Sequence, residues 1–342
     1  MNILVVHSHN ANRGDEAAVK AMVDELLIKY PGAKITISNN GFTQYPGMPE
    51  NVIQIDRFPK LESRMAQLEF FIVLLFRGKF AFTKEARKFI RALKEADVVL
   101  HAPGGPSIGD TYFKAEKLYL WRLNLIRQMG IPYIFYDPSM GPFKCASRNK
   151  LRKKVISGAE RIVLRDPISV EYVKDFLPGV EVEQALDSAL QHDIDIDKNE
   201  RKYNNYPELK KFIENHEKCI GITITDLKWH PVHKNNKIIE QIPTAFKAFI
   251  TQKVKEGYGV IFIPQLYGNL NDTKVMNDYM LDSDTFMIDA FSEERDAYFQ
   301  QYVISKLYAV VGMRYHSNIF SAKMGIPFVS VSYEPVSYTH LT

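Results

Sequence analysis

The chain has 342 residues, 46% hydrophobic and 25% charged, which excludes a mainly disordered or fibrous protein and suits two domains better than one. A formal net charge of +4 is too small at this length to call for a nucleic-acid partner, although it is compatible with an anionic substrate. Cys145 and Cys219 stand without Cys-x-x-Cys or Cys/His spacing, so neither a disulfide framework nor a metal site is expected.

The N-terminal MNILVVHSHN runs straight into an apolar strand, with no basic start or small-residue cleavage site of a signal peptide. Further strands are expected at residues 34–38, 51–55, 97–101, 132–136 and 161–164, with helices over 15–29, 84–96 and 117–129. Continuous apolar runs such as Ile3-Leu4-Val5-Val6 suit parallel strands buried on both faces. The longest apolar run, Phe70 to Phe76, falls short of the roughly 20 residues that span a bilayer. Flanked by Arg77 and Lys79, it either rests on a membrane surface or forms a helix buried in the core. The buried helix is expected, because an interfacial helix needs a clear polar face. The basic stretch Lys144, Arg148, Lys150, Arg152, Lys153 and Lys154 reads as a solvated helix face.

After Asp187 the alternation lapses. Residues 196–218 read as an inter-domain connection with a short helix, separating a domain at 1–195 from one at 219–342. The second series has strands at 219–225, 260–264, 285–288, 308–313 and 327–333, with helices near 237–254, 272–281, 293–306 and 316–324. Strand–helix alternation in both halves predicts an α/β protein of two Rossmann-like, doubly wound domains with a central cleft between them. A soluble, cytoplasmic chain is expected.

Four motifs follow strands, where doubly wound sheets hold their ligands. The first is Asn10-Ala11-Asn12-Arg13-Gly14-Asp15-Glu16, in which Gly14 permits a tight turn and Asp15 can cap the next helix. It is neither a GxGxxG fingerprint nor a P-loop, so nucleotide binding there has little support. The second is His101-Ala102-Pro103-Gly104-Gly105-Pro106-Ser107-Ile108-Gly109-Asp110, whose paired glycines let backbone amides approach an anion. A plain loop, with His101 hydrogen-bonded at the strand end, is the simpler alternative. In the third, Asp166 and Pro167 suit a helix cap and first turn, while Arg165 either forks a carboxylate or phosphate or pairs with an internal acid. The fourth is Gly312-Met313-Arg314-Tyr315-His316-Ser317-Asn318, with Gly325-Ile326-Pro327 behind it. Arg314 and His316 there can converge on one anion at a helix N-terminus, and a histidine can also transfer a proton.

Asn12 to Asp15, Gly104-Gly105, Pro142-Phe143, Arg165-Asp166 with Ser169, Asp187, Pro264-Gln265 and Arg314-Tyr315-His316 together resemble the polysaccharide pyruvyltransferase family, from residue 3 to about residue 335. The resemblance implies a GT-B-like fold. It also implies transfer of a pyruvyl group from phosphoenolpyruvate to hydroxyls of a glycan or its lipid-linked precursor, with no cofactor and no metal. It assigns Arg165, Arg314 and His316 to phosphoenolpyruvate binding, with Arg314 and His316 catalytic. Asn12, Gly14, Asp15, Gly104, Gly105 and Asp110 would line the acceptor side of the cleft, and the chain would work in the cytoplasm or at the inner membrane face. Where the family pattern carries a lysine after Ser332-Tyr333-Glu334-Pro335, this sequence has Val336 and then SYTHLT, which predicts a domain cut short and lacking one anion-binding cation. Two other readings are a glycosyltransferase using a nucleotide-sugar, which would bind a nucleoside diphosphate in the second domain, and a non-catalytic glycan-binding relative.

Overall fold

The structure, a computed structural model, describes residues 1–40, 44–59, 64–229, 237–268 and 271–333. Val336 and the closing SYTHLT lie outside the described residues. The chain divides into two compact units, residues 1–10 with 18–191, and residues 11–17 with 192–342.

The first unit runs β1 (Asn2–Ser8), most of α1 (Arg13–Lys29), β2 (Lys34–Asn39), β3 (Val52–Asp56), α2 (Arg64–Leu75), α3 (Lys84–Glu95), β4 (Val98–His101), β5 (Gly104–Ile108), α4 (Phe113–Gln128), β6 (Tyr133–Tyr136), β7 (Pro138–Met140), α5 (Asn149–Ile156), β8 (Arg161–Leu164), α6 (Pro167–Phe176) and β9 (Glu183–Gln184). Seven strands form one sheet in the order β3-β2-β1-β4-β6-β8-β9 with parallel pairing, while β5 and β7 pair separately. Alternate residues of β1 enter different cores. Leu4 and Val6 join Phe70, Phe89 and Leu120 on one face, and Ile3 and Val5 join Val19, Met22 and Val23 of α1 on the other. The period of two along a strand thus makes a helix–sheet–helix sandwich.

Local chemistry sets the helix boundaries. Thr83 caps α3 by accepting the Ala86 amide, and Ala86, Phe89, Ile90 and Leu93 give the helix its buried stripe. Asp166 caps α6 through the Ser169 amide, with Pro167 in the first turn. Two sequence expectations change here. α2 is only half buried: Phe70 and Val73 are inside, but Phe71 and Leu75 are exposed. Arg152 is not on a solvated face but fully buried, donating to Glu116 at 2.7 and 2.9 Å and to Asp110 at 2.7 Å.

The second unit contains α7 (Ile196–Asn204), α8 (Pro207–Glu214), β10 (Cys219–Thr223), α9 (Gln241–Lys255), β11 (Gly259–Phe262), α10 (Asp272–Met276), β12 (Thr285–Met287), α11 (Ala297–Ile304), β13 (Ala309–Gly312), α12 (Tyr315–Lys323) and β14 (Phe328–Ser330). Its parallel sheet has the order β12-β11-β10-β13-β14, with Ile220 and Ile222 packed on Phe246 and Ile250 of α9. Residues 196–214, expected as a connection with one short helix, form two helices anchored in this unit. Tyr206 and Phe212 meet Phe286 at 5.7 and 5.5 Å between ring centroids, and Lys202 pairs with Asp296 at 3.1 Å. The low apolar content misleads because a few aromatic side chains supply the anchorage.

Candidate active site

In the second unit the strand order reverses direction between β10 and β13, and the carboxyl ends of that pair are where a doubly wound sheet holds its ligand. β13 ends at Gly312, and α12 begins three residues later with Tyr315. The turn is built from polar side chains. Thr223, the last residue of β10, accepts the Arg314 amide at 3.2 Å through Oγ1 and shares a 2.9 Å bond with Ser317 Oγ. Ser317 Oγ donates to the Arg314 carbonyl at 2.6 Å. This lattice fixes the residue before the helix and its first turn, and so aims Arg314 and His316.

Arg314 is buried and forks onto Asp272 at the start of α10, with Nη2 to Oδ1 at 2.5 Å and Nε to Oδ2 at 3.1 Å. Its Nη2 also donates to Thr225 Oγ1 at 2.7 Å. Burial alone would lower the guanidinium pKa, but the Asp272 carboxylate outweighs it, and the net shift is upward. Asp272 Oδ2 in turn accepts the Gln265 and Leu266 amides at 3.1 and 2.9 Å. One carboxylate therefore holds both the arginine and the Pro264-Gln265 turn after β11.

Segment 11–17 belongs to this same site. Asn12 bridges to Leu266, and the Arg13 amide donates to the Gln265 carbonyl at 2.8 Å. Arg13 pairs with Glu16 at 2.6 Å, donates to the Ala290 and Ser292 carbonyls at 2.7 and 3.1 Å, and lies 4.3 Å over the Tyr267 ring. Glu16, fully buried, also accepts the Tyr267 hydroxyl at 3.1 Å and the Ala297 amide at 2.9 Å. Gly14 then lies against His316: a methyl group at position 14 would overlap the imidazole. His316 is buried, edge-on to Tyr315 at 4.8 Å.

Of the residues singled out from sequence, Asn12, Gly14, Asp15, Arg314 and His316 thus fall in one unit. Asn12, Gly14 and Asp15 were expected in the domain at 1–195; the bonds of Arg13 to the Gln265, Ala290 and Ser292 backbone and of Glu16 to Tyr267 and Ala297 group them with the second unit. The helix also starts earlier than Asp15 as a cap would require. Asn12 Oδ1 takes the Gly14 amide at 2.9 Å, and Asp15 sits in the first turn of α1.

The other candidates lie in the first unit. Gly104 and Gly105 open β5, Gly104 at φ 145°, while nothing stands within 4 Å of where a Gly105 side chain would be. Asp110 accepts from Arg152 and from the Cys145 amide at 3.0 Å, so it braces the loop on α5. Arg165 is buried and takes the internal-acid alternative, donating to Asp187 Oδ2 at 2.8 Å and to Ser139 Oγ at 2.9 Å, while Asp166 serves the helix cap. Beside them Asp137, at φ 62°, accepts the Ser188 amide at 2.6 Å. Its pKa is raised to about 8, first by burial and then by Asp187, against the opposing pull of Arg165.

A histidine cluster fills the carboxyl ends of β1 and β4. Ser107 Oγ lies 2.8 Å from His101 Nε2, whose Nδ1 lies 2.9 Å from the Ala102 carbonyl, and His9 Nε2 lies 2.8 Å from the Tyr119 hydroxyl. His7, at φ 66°, meets His101 edge to face at 4.7 Å and Tyr119 at a tilt at 4.5 Å between ring centroids. Burial holds His9 and His101 neutral, each lowered to about 4. Sequence reasoning singled out His101 but not His7 or His9, and it missed Asp272 and the buried role of Glu16. Only the fold brings Asp272, 42 positions away, to Arg314.

The amylovoran biosynthesis protein AmsJ of Erwinia amylovora is 23% identical over 367 residues, covering 98% of this chain and 84% of that protein. The UDP-GlcNAc 2-epimerase of Neisseria meningitidis bound to UDP-GlcNAc superposes with a TM-score of 0.54 at 12% identity, over 97% of this chain and 82% of that one. The S. aureus MnaA–UDP structure gives 0.54 at 10%, over 96% and 78%. These likenesses speak to the fold, the α/β class shared by GT-B glycosyltransferases and such epimerases. The profile described as polysaccharide pyruvyl transferase matches residues 12–335, from the asparagine that opens the Gly14 turn to a point beyond Arg314 and His316. The chain therefore belongs to the polysaccharide pyruvyl transferase family.

Proposed function

We propose that the chain transfers a pyruvyl group from phosphoenolpyruvate to sugar hydroxyls of a surface glycan or its lipid-linked precursor. The product is a ketal, and phosphate is released. The observation that carries the reading is the pairing of Arg314 and His316 at the start of α12, with the Gly14 turn folded onto the histidine. A buried guanidinium, a helix N-terminus and an imidazole together suit a small ligand bearing a carboxylate and a phosphate.

In this reading Arg314, oriented by Asp272 and Thr225, binds one anionic group of the donor, and His316 contacts the phosphate or transfers a proton. Arg165, held by Asp187 and Ser139, is engaged inside the first unit and is given no part in the donor site. Protonation of the methylene carbon makes the adjacent carbon electrophilic. One sugar hydroxyl adds there, the carbon–oxygen bond to phosphate breaks, and a second hydroxyl closes the ketal. Of the two hydroxyl protons, one is balanced by the proton gained at the methyl carbon and the other leaves with phosphate. Asn12 and Asp15, in the same unit as Arg314 and His316, are assigned to the acceptor.

The test is phosphate release from phosphoenolpyruvate in the presence of lipid-linked and nitrophenyl sugars, with product mass measured. Acceptor-dependent release, with a product heavier by one pyruvyl ketal and lost in His316→Ala, supports the reading. No release, with thermal stabilisation by UDP and none by phosphoenolpyruvate, overturns it in favour of nucleotide-sugar chemistry.

A further inference from the structure

Helix α2 and the segment after it expose an unusual amount of apolar surface. Phe70 and Val73 point inward, whereas Phe71 is 61% exposed and Leu75 63%, with Met65 and Leu68 further along the helix also exposed. Phe80 and Phe82 extend the patch. Phe76 and Phe80 meet edge to face at 5.0 Å, and the Phe82 and Thr83 amides both donate to Glu69 of α2 at 2.7 Å. The chain from α2 to the start of α3 is therefore one continuous surface. Single exposed apolar residues are ordinary on a protein surface, but a contiguous group marks an interaction site.

The charges around it favour one kind of partner. Residues 64–95 carry eight basic and three acidic side chains, a net of five positive charges, while the whole chain carries +4. The acids are removed from the surface or neutralised. Glu69 is buried and satisfied by Phe82 and Thr83, Glu85 is half buried, and Glu95 pairs with Arg91 at 2.7 Å. Lys79, Arg87, Arg91 and Lys94 line a pocket of about 370 Å³ beside the patch.

We propose that this face docks onto a lipid bilayer whose headgroups are anionic. Apolar tips beside long cationic side chains match the boundary between acyl chains and headgroups, where lysine and arginine reach out to phosphate while their stems stay apolar. A second copy of this chain fits poorly, because a self-complementary contact would bring two such positive segments together. Among the described residues no helix is long and apolar enough to cross a membrane, so the attachment is to one leaflet.

The experiment is sedimentation of the full chain with phosphatidylcholine vesicles, with and without phosphatidylglycerol. Binding is expected to the phosphatidylglycerol vesicles, to weaken as salt rises, and to be much lower on phosphatidylcholine alone. Two variant sets, Phe71→Ser with Leu75→Ser and Lys79→Glu with Arg87→Glu, should each lower the bound fraction about tenfold without changing the melting temperature. In Phe71→Trp, emission should shift to the blue when anionic vesicles are added. Failure of the unaltered chain to sediment, or sedimentation of both variant sets as complete as that of the unaltered chain, overturns the proposal. So does a dimer in sedimentation velocity that Phe71→Ser dissolves while vesicles bind nothing. Partition is measured directly, so the result is independent of whether phosphoenolpyruvate is turned over.

Discussion

Gly14 and His316, separated by some three hundred residues of sequence, lie in direct contact, with the glycine backbone serving as the floor under the imidazole. Any side chain at position 14 must displace the ring. Gly14→Ala is therefore expected to lower kcat/KM for phosphate release by about a hundredfold, the scale of a misplaced catalytic group, while the chain stays folded. Gly32→Ala is the matched control, since open space lies where its methyl group would go. Equal activity of the two variants would separate Gly14 from the chemistry.

Arg314 and Asp272 form a buried ion pair, and removing one partner leaves the other charge without its counter-charge. Asp272→Ala should destabilise the second unit by about 3–5 kcal/mol in urea denaturation. The double variant with Arg314→Ala should cost clearly less than the sum of the single variants, because the second truncation removes the stranded charge. Strict additivity would show that the two side chains act independently.

The parallel strands were legible because a strand buried on both faces is largely apolar, as β1, β10 and β11 are, while β2 shows the alternation Lys34-Ile35-Thr36-Ile37. Helix caps such as Asp166 were legible because they act over three residues. β5 and β7 were not, since Gly104, Gly105 and Pro138 carry no strand pattern and pair through tertiary context. Half of the candidate site was visible as motifs. The remainder, Asp272 under Arg314 and Glu16 under Tyr267, consists of acids whose partners are chosen by the fold, and local sequence does not distinguish them from surface carboxylates.

Glu16 offers a test of how segment 11–17 is held. Its Oε1 accepts the Ala297 amide at the start of α11, and its Oε2 takes Arg13 and Tyr267. Glu16→Ala should speed hydrogen exchange at the Ala297 amide and lower the stability of the second unit by about 3–5 kcal/mol, as expected for a broken buried pair. Glu16→Gln keeps an acceptor, so it should retain most of the protection at Ala297 while losing the charge attraction to Arg13. If Glu16→Ala leaves that amide as slow as before, Glu16 is not what protects the Ala297 amide, and the Asp296 cap alone holds the start of α11.

Asp137 gives the first unit a pH dependence whose sign can be worked out. Its carboxyl titrates near 3.8 when exposed and about 8 in the fold, where burial and Asp187 disfavour the charge more than Arg165 favours it. Between those values the folded state holds a proton that the unfolded chain has released, so this contribution is fully present below 3.8 and is lost as pH rises through about 8. The buried histidines act in the opposite direction: His9 and His101, lowered to about 4 from 6.5, take stability away as the solution is acidified below 6.5. The two trends separate by substitution. Asp137→Asn mimics the protonated acid and does not titrate, so its melting temperature should fall less than that of the unaltered chain between pH 6.5 and 8.5, while the acid limb set by the histidines remains. Parallel curves for the two proteins above pH 6.5 would place the Asp137 proton elsewhere and leave Arg165 paired with two carboxylates instead of one.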